Sequence, residues 1–173
     1  LWSDRTCLYF GSTDGGITWF QLGSVPDTSR SGFPSIDGTN DGKAVITNHS
    51  NYFGEPARTG LFIDETAFQY NFTANDPGST EAAFWPKHIV LPDGNILIAA
   101  LSDSLVITQF NTSSGSFSGW IAVGTSRPEA YTFSASDEGK VGFAFIGDGV
   151  SYAGDVFYLE TTNGGITWTI PIK

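Results

Sequence analysis

Residues 12–19 read Ser-Thr-Asp-Gly-Gly-Ile-Thr-Trp, and residues 161–168 read Thr-Thr-Asn-Gly-Gly-Ile-Thr-Trp. Five consecutive residues, Gly-Gly-Ile-Thr-Trp, are identical across a separation of 149 residues. Self-similarity at a fixed interval marks a chain built of repeated supersecondary units. The interval divides into three steps of about 50, and degenerate copies fall where that division places them. Ile63-Asp64-Glu65-Thr66 leads into Tyr70, and Asn111-Thr112-Ser113-Ser114-Gly115 leads into Trp120. The aromatic anchors therefore stand at 19, 70, 120 and 168, with spacings of 51, 50 and 48.

A second ladder keeps the same period. Phe33-Pro34-Ser35-Ile36, Trp85-Pro86-Lys87-His88-Ile89 and Tyr131-Thr132-Phe133-Ser134 each open an apolar segment. Each segment reaches an acid-Gly turn, at Asp41-Gly42, Asp93-Gly94 and Glu138-Gly139. A short apolar run follows each turn, at 44–47, 96–101 and 141–146. These runs are rich in Val, Ile, Phe and Tyr and are bounded by Gly, Asp and Asn, which is the chemistry of strands joined by hairpins. The strongest competing helix, 96–110, is interrupted by Ser102-Asp103-Ser104 and then turns β-branched at Val106-Ile107-Thr108, so it too reads as strand. In the last unit the four runs are 131–136, 141–146, 155–161 and 166–170.

Four antiparallel strands recurring every 50 or so residues predict an all-β chain of β-propeller blades. The expected division is 1–25 as the last two strands of an incomplete blade, then blades at 26–74, 75–124 and 125–173. A closed propeller takes at least four blades. The chain therefore reads as a segment of a larger propeller, with closure through other chains as the alternative. The absence of Met and the start at Leu1 point the same way, to a processed product or part of a longer polypeptide.

The pattern Ser-x-Asp-x-Gly-x-Thr-Trp resembles the Asp-box, the repeat of bacterial neuraminidases, sortilin-like receptors and many secreted propellers. Ser12, Asp14, Gly16, Thr18 and Trp19 match it at every defined position. Thr161, Asn163, Gly165, Thr167 and Trp168 match it with Thr in place of Ser and Asn in place of Asp. The resemblance implies a propeller whose boxes join the third and fourth strands of a blade, on the rim away from the ligand face. A structural role follows from the residues themselves. Asp14 or Asn163 can accept backbone N–H groups of its own turn, the glycines permit positive φ, and each Trp can wedge between neighbouring sheets with on the order of 200 Å² buried.

Antiparallel order puts the acid-Gly turns and the boxes at one end of the blades. The other end carries the longer loops, 26–32, 48–58, 75–83 and 147–154, and long loops on a rigid scaffold are the usual place for binding residues. Arg30, Arg58 and Arg127 fall there, with Tyr131 and Tyr152 beside them. A guanidinium fork suits a carboxylate, and the resemblance to sialidases implies arginines from several blades clamping an acidic sugar. The Arg-Ile-Pro motif of that family is missing. Its Tyr–Glu pair has only Tyr131, Tyr152, Glu129 and Glu81 as nearby candidates, so no catalytic residue is assigned.

Composition removes other classes. Eighteen acids against eight bases give a net charge of −10, which disfavours phosphate backbones and anionic membrane surfaces. No apolar run approaches the roughly 20 residues of a membrane helix, so neither nucleic acid nor membrane insertion is expected. His49 and His88 stand 39 residues apart without companions at zinc spacing. Residues 37–42, Asp-Gly-Thr-Asn-Asp-Gly, resemble a calcium loop that lacks an acid at its third position. The expectation is no cofactor, with calcium there as the one alternative. Asp64-Glu65 reads as a solvated turn and Cys7 as buried packing. Asn48, Asn71 and Asn111 begin Asn-x-Ser/Thr sequons. Together these observations predict a non-catalytic, secreted or cell-surface propeller module acting in binding or assembly. Its partners would be other blades or protein chains, with carbohydrate as the small-ligand class. A sialidase-type glycoside hydrolase and a subunit of an extracellular filament or sheath stay open as alternatives.

Overall fold

The computed structural model describes residues 5–26, 29–78, 83–123, 128, 130–147 and 154–173. Among them there is strand, turn and irregular chain but no helix. β1 (Leu8–Gly11) and β2 (Phe20–Ser24) form a two-stranded sheet. β3 (Ser31–Gly38), β4 (Ala44–Ser50), β5 (Arg58–Asp64) and β6 (Phe72–Asn75) form a meander in that order. A third sheet runs β7 (Phe84–Val90), β8 (Ile96–Leu101), β9 (Leu105–Asn111), β10 (Ser116–Phe117), with β11 (Ile121–Ala122) also on β9. The last sheet holds β12 (Tyr131–Ala135), β13 (Val141–Ile146) and β14 (Val156–Thr161). The rejected helix at 96–110 is thus the β8–β9 hairpin, paired antiparallel from Ile96↔Phe110 to Leu101↔Leu105.

The three acid-Gly turns close alike. The N–H of Gly42, Gly94 and Gly139 donates to the carbonyl of Thr39, Leu91 and Ser136 respectively, and all three glycines have φ near +80°, which only glycine adopts without strain. The calcium-like loop is one of these turns. Its Asp41 carboxylate accepts Thr39 Oγ1 and pairs with Lys43 Nζ at 2.9 Å, and no three His, Cys, Asp or Glu side chains converge among the described residues.

The chain divides into two compact units, one of Leu1–Asp76 with Ala82–Pro86 and the other of Pro77–Glu81 with Lys87–Lys173. In the first, Tyr9, Val25, Ala44, Ile46 and Phe62 make a core against which Leu22, Phe53, Tyr70 and Phe72 pack. In the second, Leu97, Ala99, Leu105 and Ile107 of β8–β9 meet Val141, Phe143, Phe145 and Leu159 of β13–β14. β4 and β8 are buried at every residue, so both faces of each are covered. β13 instead alternates buried and half-buried residues, the pattern of a sheet with one covered face.

Both Ser/Thr-x-Asp/Asn turns have one hydrogen-bond design. Asp14 Oδ1 accepts Thr18 N at 2.9 Å, and Asn163 Oδ1 accepts Thr167 N at 3.0 Å. Gly16 N and Gly165 N donate to the hydroxyls of Ser12 and Thr161. The indole N–H of Trp19 donates to Gly16 O, and that of Trp168 to Gly165 O. Asp14 carries further bonds from Thr18 Oγ1, Ser12 Oγ and Ile17 N, which hold its carboxyl down to about 2. Burial separates the copies. Trp168 packs on Phe133 and Phe143, and a Cβ on Gly165 would come within 2.5 Å of Leu97. Trp19 is 62% exposed, against the expected wedge, with its ring over Gly16 of its own turn.

Two other expectations are corrected. Residues 166–170 form no strand; Thr167 N is engaged by Asn163, and the segment meets β14 only through Thr169 on Glu160 and a single bridge, Tyr158↔Ile172. Asp64 is fully buried rather than solvated, while the exposed Glu65 binds Asn71 and Thr73. Asn48 is also fully buried, its amide nitrogen donating to Val25 O at 2.8 Å; Asn71 and Asn111 are exposed.

Candidate functional site

Strand register gathers one edge of the first unit. Leu8 pairs with Ser24, Ser31 with Ser50, Ser50 with Arg58, and Leu61 with Asn75. Ser31 N donates to Arg5 O at 3.0 Å, which brings the residues before β1 to the same edge. Arg5, Arg30, the 51–57 loop, Arg58 and Asp76 therefore share one end, the end where the sequence placed the long loops.

At that edge the β3–β4 ladder carries a bulge. Pairing steps from Gly32↔His49 to Ser35↔Thr47, so Phe33 and Pro34 together stand opposite Asn48. A bulge turns a side chain away from its regular direction and is frequent beside binding sites. Phe33 sits at φ +52°, and Trp85, also followed by proline, sits at φ +52°. Positive φ in a bulky residue costs on the order of 1–3 kcal/mol and persists only where the surroundings impose it. Here they do. Thr59 binds Ala83 O through both N–H and hydroxyl at 2.8 Å, and Trp85 N donates to His49 Nδ1 at 3.4 Å.

The strained positions deliver two large rings to the surface. Phe33 is 48% and Trp85 41% exposed, with centroids 6.0 Å apart and planes nearly perpendicular. His49, buried beneath, lies 5.1 Å from Phe33 and 5.6 Å from Phe84. The Arg5 guanidinium stands 5.0 Å from the Phe33 centroid, a cation–π contact. Arg30 reaches Glu55 at 3.5 Å. Burial, then the charges of Arg5 and Arg30, push the His49 imidazole down to about 4, so it is neutral at physiological pH. Two exposed rings, two guanidinium groups and a rim carboxylate can bind a ring-shaped, hydroxyl-rich ligand. They supply apolar faces for its C–H surface and charged groups for its hydroxyls.

The sequence-derived residues distribute unevenly over this arrangement. Arg30 belongs to it. Arg58 is held by Asp76, at 2.8 and 3.3 Å, and by Phe53 O at 2.8 Å, so it clamps β5 to the chain after β6. Tyr131 leans on Phe143 in the second unit's core, where burial pushes its phenol well up. Arg127 and Tyr152 lie outside the described residues, as do Glu81 and Glu129. Phe33, Trp85, His49 and Arg5 went unassigned. The signal for the first two was in plain sight: an aromatic–proline pair repeated 52 residues apart.

No protein-family model matches the sequence, and no curated protein matches it. Solved structures do. A Dyadobacter fermentans protein of unknown function aligns with a TM-score of 0.64 and 11% identity, over 96% of this chain and 52% of its own. An alpha-L-arabinofuranosidase from Clostridium thermocellum aligns with a TM-score of 0.57 and 18% identity, over 96% and 59%. The catalytic domain of a Coprinopsis cinerea alpha-L-arabinofuranosidase aligns at 0.52 and 8%, over 97% and 56%. Repeated antiparallel sheets and these neighbours make the fold a β-propeller segment. The chain spans a little over half the length of the structures it matches.

Proposed function

We propose that this chain is a non-catalytic, carbohydrate-binding propeller module that works outside the cell. The observation that carries the reading is the Phe33–Trp85 pair, held exposed on strained backbone with the Arg5 guanidinium against the Phe33 ring. Strain maintained at two equivalent positions, both presenting aromatic rings to solvent, is the mark of a surface kept for binding. Two of the fold neighbours are named as arabinofuranosidases, which supports sugars as the first ligands to try. The missing Arg-Ile-Pro motif and the unassigned Tyr–Glu pair support binding over hydrolysis.

The test is an array of arabino-, xylo-, cello- and sialo-oligosaccharides, followed by titration of the strongest binder. Trp85→Ala is expected to weaken that binding at least about tenfold, as removal of a central aromatic anchor does. Unchanged binding would sink the reading. Turnover of a fluorogenic sialoside would replace it with the hydrolase alternative.

A further inference from the structure

A second concavity opens in the same unit, on the other side of the β3–β6 sheet from the ring platform. Phe62 stands opposite Ile46 and Ala74, and Phe72 opposite Asp64. His49, three residues after Ile46 on β4, points to the opposite face. Tyr52, Phe62, Tyr70 and Phe72, with Val25 and Ala74, line most of a cavity of about 220 Å³. Its rings come as two perpendicular pairs. Tyr52 and Phe62 have centroids 5.7 Å apart, Tyr70 and Phe72 5.8 Å apart, and each pair meets at 81°. The wall is set before any ligand arrives. Tyr70 sits at φ +54°, an unfavourable conformation for a bulky residue that only its surroundings can impose. Its hydroxyl accepts Ser24 N at 2.6 Å and donates to Ser24 O. Gly23 leaves room for the ring, since a Cβ there would fall 2.1 Å from it. Tyr52, 48% exposed, stands at the rim.

The electrostatics of this cavity have one sign. None of the described lining side chains is charged. Asp64, directly across from Phe72 and two residues from Phe62, is fully buried on the same face of the sheet. Its Oδ1 accepts Asn71 N at a long 3.4 Å, and its Oδ2 has no hydrogen-bond partner among the described residues. Burial, then the charge of Asp64, push the Tyr9 phenol up. The Tyr9 ring in turn lies 5.5 Å from Phe72 and 6.5 Å from Tyr70. A buried, poorly compensated carboxylate therefore stands behind the aromatic wall, in a chain of net charge −10.

We infer that this cavity binds a small quaternary ammonium ion of the choline type. Aromatic rings attract a cation through their quadrupoles, and more strongly where water is excluded. A primary ammonium would bring three N–H donors that need acceptors, and the Tyr70 hydroxyl is already committed to Ser24. A trimethylammonium group has no donor, and its charge is spread over methyl groups that pack against rings. The Asp64 charge favours such a cation over a neutral group of the same shape, because Coulomb attraction persists where little water intervenes. The net charge draws cations and repels anions in the same way, so choline should bind better than phosphocholine. The inference stands apart from the carbohydrate reading, since the two sites lie on opposite faces of one sheet.

Calorimetric titration of the full chain with choline, tetramethylammonium, phosphocholine and dimethylbutanol, the neutral tert-butyl isostere of choline, tests this. Saturable binding of choline and tetramethylammonium is expected, with the isostere and phosphocholine each weaker by about tenfold or more. Tyr52→Ala should weaken choline by about tenfold. Ala74→Leu, which adds side-chain volume at the cavity wall, should abolish binding, and circular dichroism checks that each variant is folded. Asp64→Asn should narrow the gap between choline and its isostere, and Trp85→Ala should leave choline affinity as it was. Equal affinity of the parent chain for choline and dimethylbutanol would overturn the inference by showing that the cavity reads shape alone, and that comparison needs no variant. Tighter binding of phosphocholine than of choline would overturn it too, as would the absence of saturable binding. Loss of choline binding in Trp85→Ala would place the ion on the ring platform instead and would equally sink it.

Discussion

Replacing Trp168 by alanine is expected to destabilise the fold by about 3 kcal/mol, and the same change at Trp19 by less than about 1 kcal/mol. The two tryptophans end turns of nearly the same sequence and donate the same indole hydrogen bond to a glycine carbonyl. That bond is therefore common to both and cancels in the comparison. The difference is what lies against the ring. Trp168 touches Phe133 and Phe143, and Phe143 is fully buried in the second unit's core. Removing the indole leaves a void lined by those rings, and buried large-to-small changes cost several kcal/mol for that reason. Trp19, largely solvated, leaves no void. In a chain of this size 3 kcal/mol lowers the melting temperature by about 6–12 °C. Thermal unfolding followed by circular dichroism reads both variants directly. Equal shifts would mean that the turn itself, rather than inter-sheet packing, is what the tryptophan stabilises.

That contrast also shows what the sequence could and could not carry. The period of about 50 residues located the sheets, because each anchor must recur once per blade whatever its surroundings. The acid-Gly turns were equally legible: glycine at positive φ is a local demand, satisfied within four residues. Local chemistry also fixed Asp14 and Asn163 as turn acceptors. Burial is a different kind of property, since it depends on which sheet arrives from elsewhere in the chain. Identical words at 16–19 and 165–168 therefore ended in unlike environments. Asp64 was misread for the same reason, lying in a run that looks like a polar turn yet closing a buried strand. The ring platform needed two long-range facts, the bulge opposite Asn48 and the strapping of Ala83 to Thr59. Only the repeated aromatic–proline pair announced it, and that pair is as compatible with a strand start as with a binding surface.

Acidification from pH 6.5 to 4 is expected to cost the protein up to about 3 kcal/mol through His49 alone. The imidazole is 3% exposed, packed against the Phe33 and Phe84 rings and within the field of Arg5 and Arg30. Charging it there requires desolvation and places a third cation beside Arg5 and Arg30, so the folded protein holds it at about 4 against an ordinary 6.5. The unfolded chain, with no such constraint, takes up the proton at the ordinary value. Between the two values the unfolded state binds more protons, so stability falls as pH falls and levels off below about 4. The carboxylates lowered by their turns, Asp14 and Asp41, add their own losses only below the ordinary carboxylate range, and the other histidine, the buried His88, is common to the parent and to a His49 variant. Denaturant midpoints for the parent protein should therefore decline through the window between the two values by more than those for His49→Gln. Arg30→Gln should move the His49 titration upward when followed by NMR, while leaving burial, the larger cause, in place. A parent protein as stable at pH 4 as at pH 7 would mean that the imidazole is already charged or solvated. The neutral ring beneath the platform, and the positive field assigned to Arg5 and Arg30, would then both be wrong.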